Sequence, residues 1–66
     1  MEHETRLRAR REELRMSQYA LAKAVRKSQS YVARIETGRS NPGVSIAIAL
    51  ASALNTTVEE LFSPPK

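Results

Sequence analysis

The chain has 66 residues, 41% hydrophobic and 27% charged, with no cysteine and a formal net charge of +4. A chain this short buries only about 60% of its unfolded surface, so a single domain over residues 1–66 is expected; its composition argues against disorder, a disulfide scaffold or a membrane span. The charge is uneven, with ten Lys or Arg against five Glu in residues 1–39, but Lys66 against Glu59 and Glu60 in residues 40–66. A basic first half suits a polyanion partner and equally suits a solvated surface kept for solubility.

The opening MEHETRLRARREEL has no apolar stretch behind its charges, so no signal peptide is expected and the cytoplasm is the expected compartment. Leu7, Arg11 and Leu14 share one stripe at helical spacing, which predicts a helix over about residues 4–15 with an arginine where an apolar residue belongs. Ser17 is a cap for a second helix over residues 17–25, with Leu21, Ala24 and Val25 inward. Ser28 caps a third over residues 28–37, in which Val32 and Ile35 face one way and Gln29, Ser30, Ala33, Arg34 and Thr37 the other. Gly38 supplies the left-handed stop.

Asn41, Pro42 and Gly43 make a turn, after which Val44, Ala47, Ile48, Ala51 and Leu54 form the most apolar stripe, predicting a helix over residues 44–54. Asn55 can take a left-handed stop. Thr57 and Glu60 fit a capping box, and a last helix over residues 57–62 precedes the block set by Ser63, Pro64 and Pro65. Five helices with short connections and no strand signal define an all-α, compact bundle.

Two short helices separated by a tight turn, at residues 17–36, have the form of a helix-turn-helix, whose second helix enters the DNA major groove. The outward side chains of the 28–36 helix suit that task, since Gln pairs with adenine, Arg with guanine, Ser with several bases and Ala with a thymine methyl. On one helix alone, an ordinary solvated face is the default reading of the same residues.

The segments SQYALAKAV, SQSYVARIETGRSNP and ALASALNTTVEELF stand in order within residues 16–62, and together they resemble the Cro and phage-repressor (Xre) family of helix-turn-helix regulators. The resemblance implies a five-helix, lambda-repressor-like DNA-binding domain and a sequence-specific regulator of transcription, a repressor, acting on double-stranded DNA. It implies base contacts from Gln29, Ser30, Arg34 and Ala33. It implies phosphate contacts from Gln18, which also buttresses Gln29, and from Thr37 and Arg39. It further implies a homodimer on a palindromic operator, with recognition helices about 34 Å apart.

In some relatives an arginine and a glutamate at the positions of Arg11 and Glu36 pair between helices, so a partly buried Arg11–Glu36 ion pair is expected here; the alternative is an Arg11 that snorkels to water. The departure from the family lies at Arg26, where glycine is usual, and at Lys27, where an apolar residue is usual. Neither change helps folding, because a left-handed non-glycine residue costs about 1–2 kcal/mol and two cations oppose the dipole of the next helix. A phosphate would reverse the electrostatic sign, so Arg26 and Lys27 are expected on the DNA backbone, with a tolerated solvated turn as the alternative.

Ile46, Val58 and Phe62 are candidates for a symmetric contact between copies, although Val58 and Phe62 could simply close the core. Tyr31 is expected to pack at the edge of the recognition helix. His3 stands alone, no metal or other cofactor is expected, and no small-molecule ligand is evident. Glu12 with Glu13 and Glu59 with Glu60 point to different sides of their helices, which leaves no catalytic set and predicts no enzyme. An antitoxin that also neutralises a protein partner, or an interaction module that has lost DNA binding, remain the other function classes.

Overall fold

The computed structural model describes residues 6–62. Five helices follow one another: α1 (Arg6–Glu13), α2 (Gln18–Ala24), α3 (Gln29–Glu36), α4 (Val44–Ala53) and α5 (Val58–Phe62). Residues 4 and 5 of the first predicted helix, together with His3 and the Ser63–Pro65 block, lie outside the described residues.

The N-termini form where hydroxyl side chains can accept the first free amides. Ser17 Oγ accepts from Ala20 N–H at 2.9 Å and Ser28 Oγ from Tyr31 N–H at 3.1 Å. Thr57 Oγ1 accepts from Glu60 N–H at 3.1 Å, giving half of the expected capping box, while the Glu60 carboxylate lies 3.7 Å from Arg6 Nη1 on α1.

The C-termini of the first four helices share one device. Each ends in a residue at positive φ: Arg15 (56°), Arg26 (62°), Gly38 (76°) and Asn55 (55°). In each case the next amide reaches back to close the last turn: Met16 N–H to Arg11 O, Lys27 to Ala22, Arg39 to Arg34 and Thr56 to Ala51, at 3.1, 2.9, 2.9 and 2.9 Å. These are Schellman motifs, and glycine is their usual left-handed residue. This chain builds three of the four without glycine. The stop at Arg15 ends α1 earlier than its apolar stripe suggests.

The core joins all five helices through Leu7, Leu21, Ala22, Val25, Val32, Ile35, Leu50, Ala51, Leu54 and Leu61. α2 packs chiefly on α3, α1 on α5 and α3, and α4 on α5 and α2. Four inward assignments are corrected, on three helices. Leu14 is 41% exposed, because the chain leaves the helix at that point to turn through Arg15. On α2, Ala22 is buried and Ala24 exposed. On α4, Val44 and Ile48 are 79% and 56% exposed, and the buried row is Ala47, Leu50, Ala51 and Leu54. The helix reads VSIAIALASA, apolar or small throughout, so its period did not select a face.

Arg10 secures the bundle at a point the helical pattern did not mark. Its Nε donates to Leu54 O at 2.9 Å and one Nη to Asn55 O at 3.1 Å, while the other meets Glu13 Oε1 at 3.1 Å. A cation from α1 thus closes the carbonyl end of α4, where the helix dipole favours positive charge.

Candidate nucleic-acid interface

The α2–α3 unit presents the second helix outward because Val32 and Ile35 are held in the core on its opposite face. Gln29, Ser30, Arg34 and Thr37 are exposed along the outer face and Ala33 is half-buried between them. At the C-terminal end of α3, Ala33, Arg34, Thr37 and Arg39 line a shallow concavity. The Thr37 hydroxyl is turned inward there, donating toward the Ala33 and Arg34 carbonyls at 3.2 and 3.3 Å. A phosphate contact from Thr37 therefore requires that hydroxyl to rotate, whereas Arg39 is exposed.

Arg11 and Glu36 pair in the interior. Arg11 is 8% exposed and Glu36 2%. Arg11 Nε donates to Glu36 Oε2 at 2.5 Å, one Nη to Oε1 at 3.2 Å and the other Nη to Met16 O at 2.7 Å. The pair ties α1 to the end of α3 and to the turn before α2. It does not end there: Gln18 Nε2 donates to Glu36 Oε1 at 3.1 Å, and Gln29 Nε2 donates to Gln18 Oε1 at 3.3 Å. An unbroken series of polar contacts runs from the interior to the first outward residue of α3.

At the turn, Arg26 is exposed and left-handed, and Lys27 is exposed with its ammonium 5.3 Å from the centre of the Tyr31 ring. Tyr31 is half-buried against the core, so Lys27 is held beside the start of α3 rather than extended freely. Lys23 makes the matching contact with Tyr19 at 5.8 Å. Tyr19 and Lys23 have the four-residue spacing at which side chains meet on a helix, whereas Lys27 reaches Tyr31 from the turn before α3.

The ion pairs divide the surface. Arg6 meets Glu60, Arg8 meets Glu12, Arg10 meets Glu13 and Arg11 meets Glu36, so the arginines of α1 take up the nearby carboxylates. Among the described residues, Arg15, Lys23, Arg26, Lys27, Arg34 and Arg39, all on or flanking the α2–α3 unit, have no carboxylate within ion-pair distance. The uncompensated positive charge thus lies on and around the α2–α3 unit.

Among the described residues there is no cluster of His, Cys, Asp or Glu that could hold a metal ion, and no helix is long and apolar enough to cross a membrane. The geometry defines a helix-turn-helix nucleic-acid-binding domain. The helix-turn-helix family model matches residues 7–61, and the chain belongs to this family, the Cro and phage-repressor class of DNA-binding transcriptional regulators. Its structure is similar to that of the restriction-modification controller protein C.AhdI from Aeromonas hydrophila, with a TM-score of 0.80, 37% identity and 86% of each chain covered. It is also similar to the clp gene regulator ClgR from C. glutamicum, with a TM-score of 0.73 and 29% identity, covering 79% of this chain and 68% of that one. No curated protein sequence matches significantly.

Proposed function

We propose that this chain is a cytoplasmic transcriptional repressor that binds a palindromic operator as a homodimer, each copy laying α3 in the major groove of one half-site. Gln29, Ser30, Ala33 and Arg34 read base edges. Gln18, Arg26, Lys27 and Arg39 grip phosphates, with Thr37 joining them if its hydroxyl rotates. The observation that carries this proposal is the division of charge: the four arginines of α1 pair with carboxylates of α1, α3 and α5, and six cations on or flanking the α2–α3 unit are left without one. Phosphate is the partner that such a field favours, and each neutralised phosphate steepens the salt dependence of binding by about 0.9.

The second copy is supported by α4, whose residues Val44–Ala53 carry no charge and leave Val44 and Ile48 largely exposed. Two positively charged copies can meet on such a face without like-charge repulsion. Ile46, Val58 and Phe62 are partly buried against the molecule's own core, so they add only their remaining surface to that contact. The patch is small beside the roughly 800 Å² per partner of a standard interface, so the free dimer is weak and DNA completes it.

Fluorescence-anisotropy titrations of a random-sequence duplex across a salt series test the proposal. A slope that corresponds to several phosphates per copy, lowered by Arg39→Ala, supports it. Binding that is absent at low salt, or a slope indifferent to Arg39, overturns it.

A further inference from the structure

Hydrogen bonds have direction, and a carboxylate can only accept. Glu36 is 2% exposed, and the Arg11 guanidinium holds both its oxygens in place. The group of Gln18 that faces Glu36 Oε1 at 3.1 Å must therefore be its amide nitrogen, which turns the Gln18 carbonyl oxygen away, toward Gln29. That oxygen in turn can only accept. Gln29 must direct its own nitrogen at Gln18, as it does at 3.3 Å.

The orientation of Gln29 decides what it offers to DNA. With one N–H given to Gln18, its carbonyl oxygen and second N–H remain, one acceptor and one donor. This set complements the N6 amine and N7 of adenine. If Gln18 were flipped, its nitrogen would face Gln29, the Gln29 carbonyl would be turned toward Gln18 to accept from it, and both N–H donors of Gln29 would be left for DNA. Those suit the two acceptors of guanine, O6 and N7. Gln18 meanwhile keeps a second N–H for a phosphate.

Resting on the function proposed above, we propose that Glu36 is a specificity-positioning residue: its acceptor-only carboxylate fixes the direction of the Gln18 and Gln29 amides and so makes the first reading position prefer adenine to guanine. The ion pair then does more than join two helices, since it sets the polarity of a contact made at the surface.

The test compares duplexes drawn from a pool selected by the wild-type protein, with A·T or G·C at the position whose preference Gln29→Ala removes. The wild type is expected to favour adenine by about tenfold or more. Glu36→Gln, which can face Gln18 with either end of its amide, should lower that ratio at least threefold. Gln18→Met should do the same while leaving the ion pair in place, and it decides the matter if Glu36→Gln fails to fold by circular dichroism. A purely structural pair would weaken binding to both duplexes alike and leave the ratio unchanged. A wild type that discriminates no base pair overturns the proposed function, and this inference with it. A wild type that separates adenine from guanine, with the ratio unchanged in a folded Gln18→Met, overturns this inference alone.

Discussion

Arg26→Gly is expected to stabilise the free protein and weaken it on DNA. Arg26 sits at φ 62°, the left-handed residue of the Schellman motif closed by Lys27 N–H and Ala22 O at 2.9 Å. An L-residue in that conformation costs about 1–2 kcal/mol, and glycine removes the cost but gives back roughly 0.5–1 kcal/mol of unfolded-state entropy. The net gain is about 0.5–1 kcal/mol, or a rise in Tm of a few degrees, on the order of 4 °C, for a domain of this size. On DNA, a dimer loses two phosphate contacts, so the slope of log K against log salt should become shallower by about 1.8. Thermal melts followed by circular dichroism read the first effect, and anisotropy titrations over a salt series read the second. Arg26→Asn separates them, because asparagine tolerates the left-handed region without the charge. A Tm that falls would refute the backbone reasoning; an unchanged slope would refute the phosphate contact.

Three further substitutions test other parts of the structure. Glu36→Ala strands the Arg11 guanidinium in the interior and Arg11→Met strands the still more deeply buried Glu36 carboxylate, so each should cost about 3–5 kcal/mol in urea unfolding. Arg10→Ala removes the donors to the Leu54 and Asn55 carbonyls and should cost about 1.5–3 kcal/mol, so a loss below half a kcal/mol would mean that water replaces the clamp readily. Ile48→Ser, at a position 56% exposed, should leave the melting of the monomer within about 0.5 kcal/mol of wild type while weakening self-association in sedimentation experiments. Unaltered self-association would remove α4 from the dimer contact.

What the sequence disclosed was mostly local. Ser17, Ser28 and Thr57 cap the helices at which their side chains were expected, and Gly38 and Asn55 take the left-handed stops. Arg15 takes the same stop without any compositional mark, so the apolar stripe overruns the end of α1 and points inward at Leu14, which is 41% exposed. On α4, an almost uniformly apolar sequence offers several equivalent stripes, and only packing against α2 and α5 chooses among them. Arg11 in an apolar stripe was visible as an anomaly, but its partner came from the resemblance to a family, since 25 residues separate it from Glu36. The onward bonds from Glu36 to Gln18 and from Gln18 to Gln29 depend on α2 crossing both ends of the α3 polar row, which no spacing within a single helix encodes.

The central claim is that two copies read one operator, and selection of bound duplexes from a randomised DNA pool at two salt concentrations tests it most directly. The account predicts enrichment of a palindrome whose half-sites are about one helical turn, roughly 34 Å, apart, with the same sequence recovered at both salts. Binding that collapses at the higher salt and enriches no sequence would contradict it, leaving the positive face as a non-specific polyanion surface.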